Sequence, residues 1–214
     1  SWIRDMSHLS DFAIPRMLSL HGMEQSVMKE IHVYSDASSY GYGAVAYLRT
    51  LDIQDQYHNA FLIGKARVAP LKATTIPRLE LTVAVTAVRL GQMMKFELKE
   101  DIGITYHTDS TTVLNYINNA KQRWPIYVAN RVQIIRNFSN PSQWKYVSSD
   151  CNPADKASRG VKATELLGDS LWLKGPGSLW TADLDDIENK PETSEYLPVH
   201  LAQSSLVDPV DPCT

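Results

Sequence analysis

The order in which strand-like and helix-like patterns succeed one another constrains this chain more than any single motif. Three strand-like runs come first: Ile31–Tyr34, Ala44–Leu48 and Phe61–Gly64, with Gly41 and Gly43 reading as turn punctuation between the first two. They predict an antiparallel meander. A helix follows at Thr75-Ile76-Pro77-Arg78, because a proline in the first helical turn gives up an N–H that has no partner there. It is expected to run from Arg78 to about Glu97, with Glu80, Ala84, Ala87 and Gly91 as a stripe of small residues that lets the backbone lie close to a sheet. Ile102–Thr108 reads as a fourth strand, and Asp109-Ser110 as the cap of a helix through Val113, Leu114 and Ile117. Another helical pattern runs from Trp124-Pro125 to Phe138, and Gln143–Val147 is a fifth strand. Asn152-Pro153-Ala154-Asp155 opens a last helix, with Asn152 as cap and Gly160 as stop. Strands placed before and after helical crossovers predict an α/β fold, a mixed sheet with helices on its faces.

Composition bounds the setting. At 214 residues, 43% hydrophobic and 21% charged, the chain has enough apolar mass for one full core. Residues 1–30 show little regular pattern and read as a connecting segment, 31–180 as the domain, and 181–214, with eight acids against Lys190, as an acidic proline-bearing linker or tail. The formal net charge of -3 therefore hides a middle region at +5, a surplus that suits contact with a nucleic-acid backbone without establishing it. Two cysteines, Cys151 and Cys213, make neither a disulfide framework nor a zinc set and read as free thiols. The first residues lack the basic and apolar blocks of a signal peptide, and no apolar run approaches the ~18 residues of a membrane span. The expectation is a cytoplasmic or nuclear protein with no membrane partner.

Four acids occupy comparable places in this order. Asp36 ends the first strand, Glu80 begins the long helix, Asp109 ends the fourth strand and Asp155 begins the last helix. Strand ends and helix starts converge on one edge of such a sheet, and parallel first and fourth strands would hold Asp36 and Asp109 side by side. Two carboxylates that close repel unless a cation lies between them. Four acids without histidine or cysteine partners point to magnesium or manganese in preference to zinc. Two such ions activate a water on one side of a phosphodiester and stabilise the leaving oxygen on the other, which is nuclease chemistry.

The stretches "SDASSYGYGAV", "IPRLEL", "TDST" and "NPADKASRG", in this order and spacing, resemble the ribonuclease H domain of LTR retrotransposon polyproteins, most closely those of the Bel/Pao type. The likeness spans Ile31 to Trp180, and "AIPR" and "LWLKGP" look like that family's flanks. The resemblance implies a ribonuclease H-like fold with a mixed five-stranded sheet, and endonucleolytic cleavage of RNA in RNA/DNA hybrids with two Mg2+ or Mn2+ ions. It also implies neighbouring reverse transcriptase and integrase domains, and a cytoplasmic virus-like particle or the nucleus as the place of work. Its four metal-binding, catalytic acids match Asp36, Glu80, Asp109 and Asp155. The sequence departs from many ribonucleases H at Ser148-Ser149-Asp150-Cys151, where they carry a histidine, and Asp150 is the acid available there. Asn118–Arg123 is also too short for the basic extra helix with which some relatives grip the hybrid.

Each acid has a plainer role open to it. Asp36 suits a serine turn, Glu80 favours a helix dipole, Asp109 suits an N-cap and Asp155 a capping box with Asn152; all are compatible with metal binding. Ser38, Ser39, Ser110 and Arg159 adjoin the acids and are candidate substrate contacts. His107 lies two residues before Asp109 and reads as a packed or hydrogen-bonded histidine. Trp124, Tyr127, Arg131 and Arg136 either touch a nucleic-acid backbone or serve as core and solvated residues of an amphipathic helix, the commoner case. Against the nuclease stands a catalytically silent domain kept as a nucleic-acid-binding or protein-interaction module.

Overall fold

The computed structural model describes residues 2–10, 12–13, 26–72, 74–119, 122–168 and 170–182. Residues 14–25 of the expected connecting segment and nearly all of the acidic tail lie outside the described residues. A short helix α1 (Trp2–Asp5) leads to β1 (Ser26–Ala37), β2 (Gly41–Asp52) and β3 (Tyr57–Val68). Then come α2 (Ile76–Leu98), β4 (Gly103–Thr108), α3 (Thr111–Asn118), α4 (Ile126–Phe138) and β5 (Trp144–Tyr146). Three short helices close the chain: α5 (Asp155–Arg159), α6 (Ala163–Gly168) and α7 (Ser170–Lys174), followed by a 3-10 turn at Gly177–Trp180.

The five strands form one sheet in the order β3-β2-β1-β4-β5. β1 to β3 are antiparallel neighbours, and β4 and β5 add in parallel on the other side of β1. The order of patterns follows directly: the meander is made by tight hairpins, whereas each parallel addition requires a helical crossover. β1 is central and covered on both faces, so its strand pattern is a continuous buried run in place of an alternation.

On one face Ile31, Val33, Ala44, Ala46, Leu48, Ile104 and Tyr106 pack against α2. The expected small-residue stripe holds there: Ala84, Ala87 and Gly91 are buried, and a Cβ on Gly91 would meet the Tyr106 hydroxyl at 2.8 Å. α2 also buries leucines and valines toward α4, which accounts for its apolar character on more than one side.

The second face carries Tyr34, Val45, Tyr47, Val147, Ala154 and Leu179, with Phe61 and Trp172 packed on them. Much of this cover comes from residues after Gly160, where the sequence shows no regular pattern. Arg49 fastens it, donating to the Leu179 carbonyl at 3.2 Å and to Glu30 at 2.9 Å. At the opposite end of the chain, Asp5 accepts from the Ala163 backbone N–H at 2.6 Å and ties the first residues to α6. His107 is a packed histidine, stacked on Tyr34 with ring centroids 4.3 Å apart and hydrogen-bonded to His32 at 3.0 Å. Burial holds both histidines below the usual imidazole range. Cys151 is a free thiol, and Cys213 lies outside the described residues. Among the described residues no helix is long and apolar enough to cross a membrane.

Two local readings change. Gly41 closes the hairpin turn, its carbonyl accepting from the Ser38 N–H at 2.8 Å, whereas Gly43 lies inside β2 and is not a turn residue. A Cβ on Gly43 would collide with the Ala157 Cβ and stand 2.9 Å from the Lys65 carbonyl, so this glycine is needed for α5 to lie on the sheet. Asn152 does not cap α5, which starts three residues later. Its amide instead donates to the Ser35 carbonyl at 3.1 Å and accepts from the Ala154 N–H at 3.1 Å, fixing the entry to α5 against β1.

Candidate active site

The parallel pairing of β1 with β4 places Ser35 opposite Thr108. The next residue on each strand is an aspartate, Asp36 and Asp109, and neighbouring strands run about 4.8 Å apart. Glu80 comes from the first turns of α2 on one face of the sheet, and Asp155 opens α5 on the other. The four acids therefore reach one end of the sheet from four different elements.

Their electrostatics bear this out. The Asp36 carboxyl is pushed up to about 6, first by burial and then by the negative charges of Asp109 and Asp155, against a lowering hydrogen bond from Ser158. Glu80 is raised by burial, with Asp109 and Asp36 adding to the effect and Ser110 opposing it. Asp36 thus feels Asp109 and Asp155, and Glu80 feels Asp109 and Asp36. Among the described residues, however, no three acids, histidines or cysteines are spaced to hold a metal ion together.

Each carboxylate has a dedicated partner. The Ser158 hydroxyl donates to Asp36 Oδ2, Ser110 donates to Glu80 Oε2 at 2.7 Å, and Ser149 donates to Asp109 Oδ2 at 2.7 Å. Arg159 Nε donates to Asp155 Oδ1 at 2.6 Å. Ser110 does two things at once, because its oxygen also accepts from the Val113 N–H at 3.2 Å and so caps α3. Three of the four acids thus have hydroxyls for side-chain partners, which orient without neutralising. Four carboxylates, Asp36 buried and Glu80, Asp109 and Asp155 half-buried, with Arg159 as their one cationic side-chain partner among the described residues and without imidazole or thiol, fit hard divalent cations such as magnesium or manganese.

The expected substrate contacts separate into two groups. Ser38 and Ser110 are buried and their hydroxyls are engaged internally, Ser38 donating to the Ser158 carbonyl at 2.8 Å. They support the acids. Ser39 and Arg159 are exposed, and Ser39 lines a cleft of about 130 Å³ with Ala69, Pro70, Thr74, Ile76 and Leu79. Ser158 and Ser149 were not singled out from the sequence. Both lie inside stretches noted for other residues, Ser158 in "NPADKASRG" and Ser149 in Ser148–Cys151, but their bonds to Asp36 and Asp109 span 122 and 40 residues.

The raised Asp36 carboxyl predicts a stability effect whose sign is fixed. A folded-state pKa above the unfolded value stabilises below about pH 4 and is lost as pH rises through about 6. Without divalent ions, Asp36→Asn is therefore expected to stabilise the fold at pH 7 to 8 by about 1–2 kcal/mol after allowance for solvent at the open end of the sheet, read as a higher Tm. That gain should vanish near pH 4. The buried histidines act with the opposite sign, but equally in both proteins, so the difference in Tm between them isolates Asp36.

A mixed five-stranded sheet in this order, with acids at the ends of β1 and β4 and at the starts of α2 and α5, defines a ribonuclease H-like domain. The chain belongs to the family of Pao retrotransposon-like RNaseH-like domains, which matches residues 1–110 and so includes Asp36, Glu80 and Asp109. No curated protein matches the chain.

Similar solved structures include the N-terminal RNase H domain of a Mycobacterium tuberculosis protein, with TM-score 0.42 and 11% identity over 62% of this chain and 98% of that one. Another is LC11 RNase H1, isolated from compost and solved with an RNA/DNA hybrid, with TM-score 0.40 and 15% identity over 64% of this chain and 99% of that one. A third is the prototype foamy virus protease-reverse transcriptase, with TM-score 0.35 and 12% identity over 77% of this chain and 22% of that one. These three likenesses carry no weight for the chemistry.

Proposed function

We propose that this domain is a metal-dependent endonuclease that hydrolyses the RNA strand of RNA/DNA hybrids during reverse transcription of a retroelement. It would act beside the reverse transcriptase and integrase domains of the same polyprotein, in a cytoplasmic particle or the nucleus. The observation that carries this reading is the convergence of four acids from four elements on one end of the sheet, three of them with hydroxyls as side-chain partners. The Pao family match supports the retroelement setting.

Asp36 and Asp109, adjacent at the strand ends, would hold two magnesium or manganese ions in common, with Glu80 on one flank and Asp155 on the other. When bound, these ions supply Lewis-acid activation of a water and neutralise charge at the scissile phosphodiester. The chain's own residues supply orientation. Ser158, Ser110, Ser149 and Arg159 each fix one oxygen of a carboxylate, which restricts its rotamers before substrate arrives. Arg159 and Ser39, both exposed beside the acids, would meet the substrate backbone. Asp150, exposed on the turn that also carries Ser149, stands where many relatives carry histidine and would take up or deliver a proton.

The test is cleavage of labelled RNA/DNA hybrid, single-stranded RNA and DNA duplex with magnesium or manganese. Ion-dependent cutting of the RNA strand of the hybrid alone is expected. Hybrid binding without cutting would favour the silent module, and equal cutting of all three substrates would remove the hybrid from the account.

A further inference from the structure

The surface beyond the carboxylates carries a charged cluster with no counterpart in the chemistry above. Tyr127, in the first turn of α4, has an arginine against its ring from each of two helices. The guanidinium carbon of Arg131 lies 3.5 Å from the ring centroid and that of Arg78, from α2, lies 4.9 Å away. The ring is held in place, its hydroxyl 2.9 Å from the Thr82 hydroxyl and 3.3 Å from the Arg78 carbonyl. Among the described residues neither arginine has a carboxylate within ion-pair distance. Two like charges gathered on one aromatic ring, with most of their N–H donors unused, form a site for an anion.

This cluster is continuous with the acids. Arg78 precedes Glu80 by two residues on α2. Tyr116 on α3, whose hydroxyl is raised by burial and by the charge of Glu80, packs edge-on against Trp124 with centroids 4.6 Å apart. Trp124 and Pro125 then lead into α4 and Tyr127. Two residues turn a helix by about 200°, so Arg78 and Glu80 project to different sides of the start of α2. A duplex lying across the start of α2 would touch both.

We propose that the Arg78–Tyr127–Arg131 stack is a second nucleic-acid contact, gripping a backbone phosphate of the same hybrid whose RNA strand meets the carboxylates. It rests on the hybrid-nuclease reading for the identity of the duplex. Planar guanidinium forks suit phosphate oxygens, and stacking on Tyr127 presets their orientation.

The experiment measures binding of a fluorescent RNA/DNA hybrid across a salt series, with divalent ions chelated so that nothing is consumed. The double variant Arg78→Ala/Arg131→Ala should bind roughly tenfold more weakly, and its slope of log affinity against log salt should be shallower by about one to two. Arg131→Lys, which keeps charge but loses the plane, should fall between it and the wild type. Arg89→Ala, an exposed arginine further along α2, is the control for net charge. Unchanged affinity and slope in a double variant with wild-type Tm, or an equal loss in Arg89→Ala, overturns the proposal. The two readings fail separately: a wild type that cuts nothing but loses affinity in the double variant removes hydrolysis and keeps the grip. A wild type that cuts the hybrid, with a double variant of unchanged affinity and KM, removes the grip alone.

Discussion

Asp109→Asn should fold like the wild type and cut RNA/DNA hybrid ~10³-fold more slowly or worse. Asp109 sits half-buried just past the end of β4 and supports no part of either core cluster, so an isosteric amide costs little stability. Its carbonyl oxygen can still accept from the Ser149 hydroxyl. What disappears is one negative charge from a set of four, and with it an anionic ligand for a divalent ion at a developing transition state. Lewis-acid stabilisation is worth several kcal/mol, and about 4 kcal/mol corresponds to three orders of magnitude in rate. Ser149→Ala removes only the orienting bond, and a loss of roughly 10–100-fold is expected. Single-turnover cleavage of labelled hybrid measures both. Equal rates for Asp109→Asn and wild type would remove Asp109 from the chemistry.

The largest expected stability effect lies at the other end of the chain. Leu179 is fully buried against Tyr34, Val45 and Tyr47, in a 3-10 turn that closes the sheet's second face. Leu179→Ala should destabilise by about 2–5 kcal/mol, because the surrounding rings and the sheet cannot collapse into the space left. For a domain of this size that is a fall in Tm of roughly 5–15 °C. Cleavage well below the lowered Tm should persist, since Leu179 touches none of the four acids. Thermal unfolding followed by circular dichroism reads the effect. A loss below about 1 kcal/mol would mean that the residues after Gly160 are not part of the folding unit.

Legibility followed the range of the interaction. Pro77 within the first turn of α2, Ser110 capping α3 and Gly160 ending α5 are local devices, and each was visible in a few residues of sequence. The aspartates at the ends of β1 and β4 were visible because strand ends and helix starts share an edge in any sheet with this order. The strands of the meander were underestimated, since β2 and β3 each run for 12 residues but apolar residues dominate only part of each, whereas β5 is only 3 residues long, shorter than the expected Gln143–Val147. Gly43 reads as a turn former in isolation, and only the approach of Ala157 from α5 reveals its role. Asn152 looks like a helix cap until the Ser35 carbonyl is beside it. Ser158 and Ser149 act on acids far away in the chain, so no local signal distinguishes them from other serines. The cover over Tyr34 and Tyr47 is built from α7 and a 3-10 turn too short to show periodicity.

The central claim is that four carboxylates close around divalent ions at one end of the sheet. Anomalous diffraction from crystals grown with manganese tests it directly. Two manganese peaks are expected, both within coordination distance of Asp36 or Asp109, one also of Glu80 and the other of Asp155. Manganese bound elsewhere only, with the four acids still apart, would contradict the account.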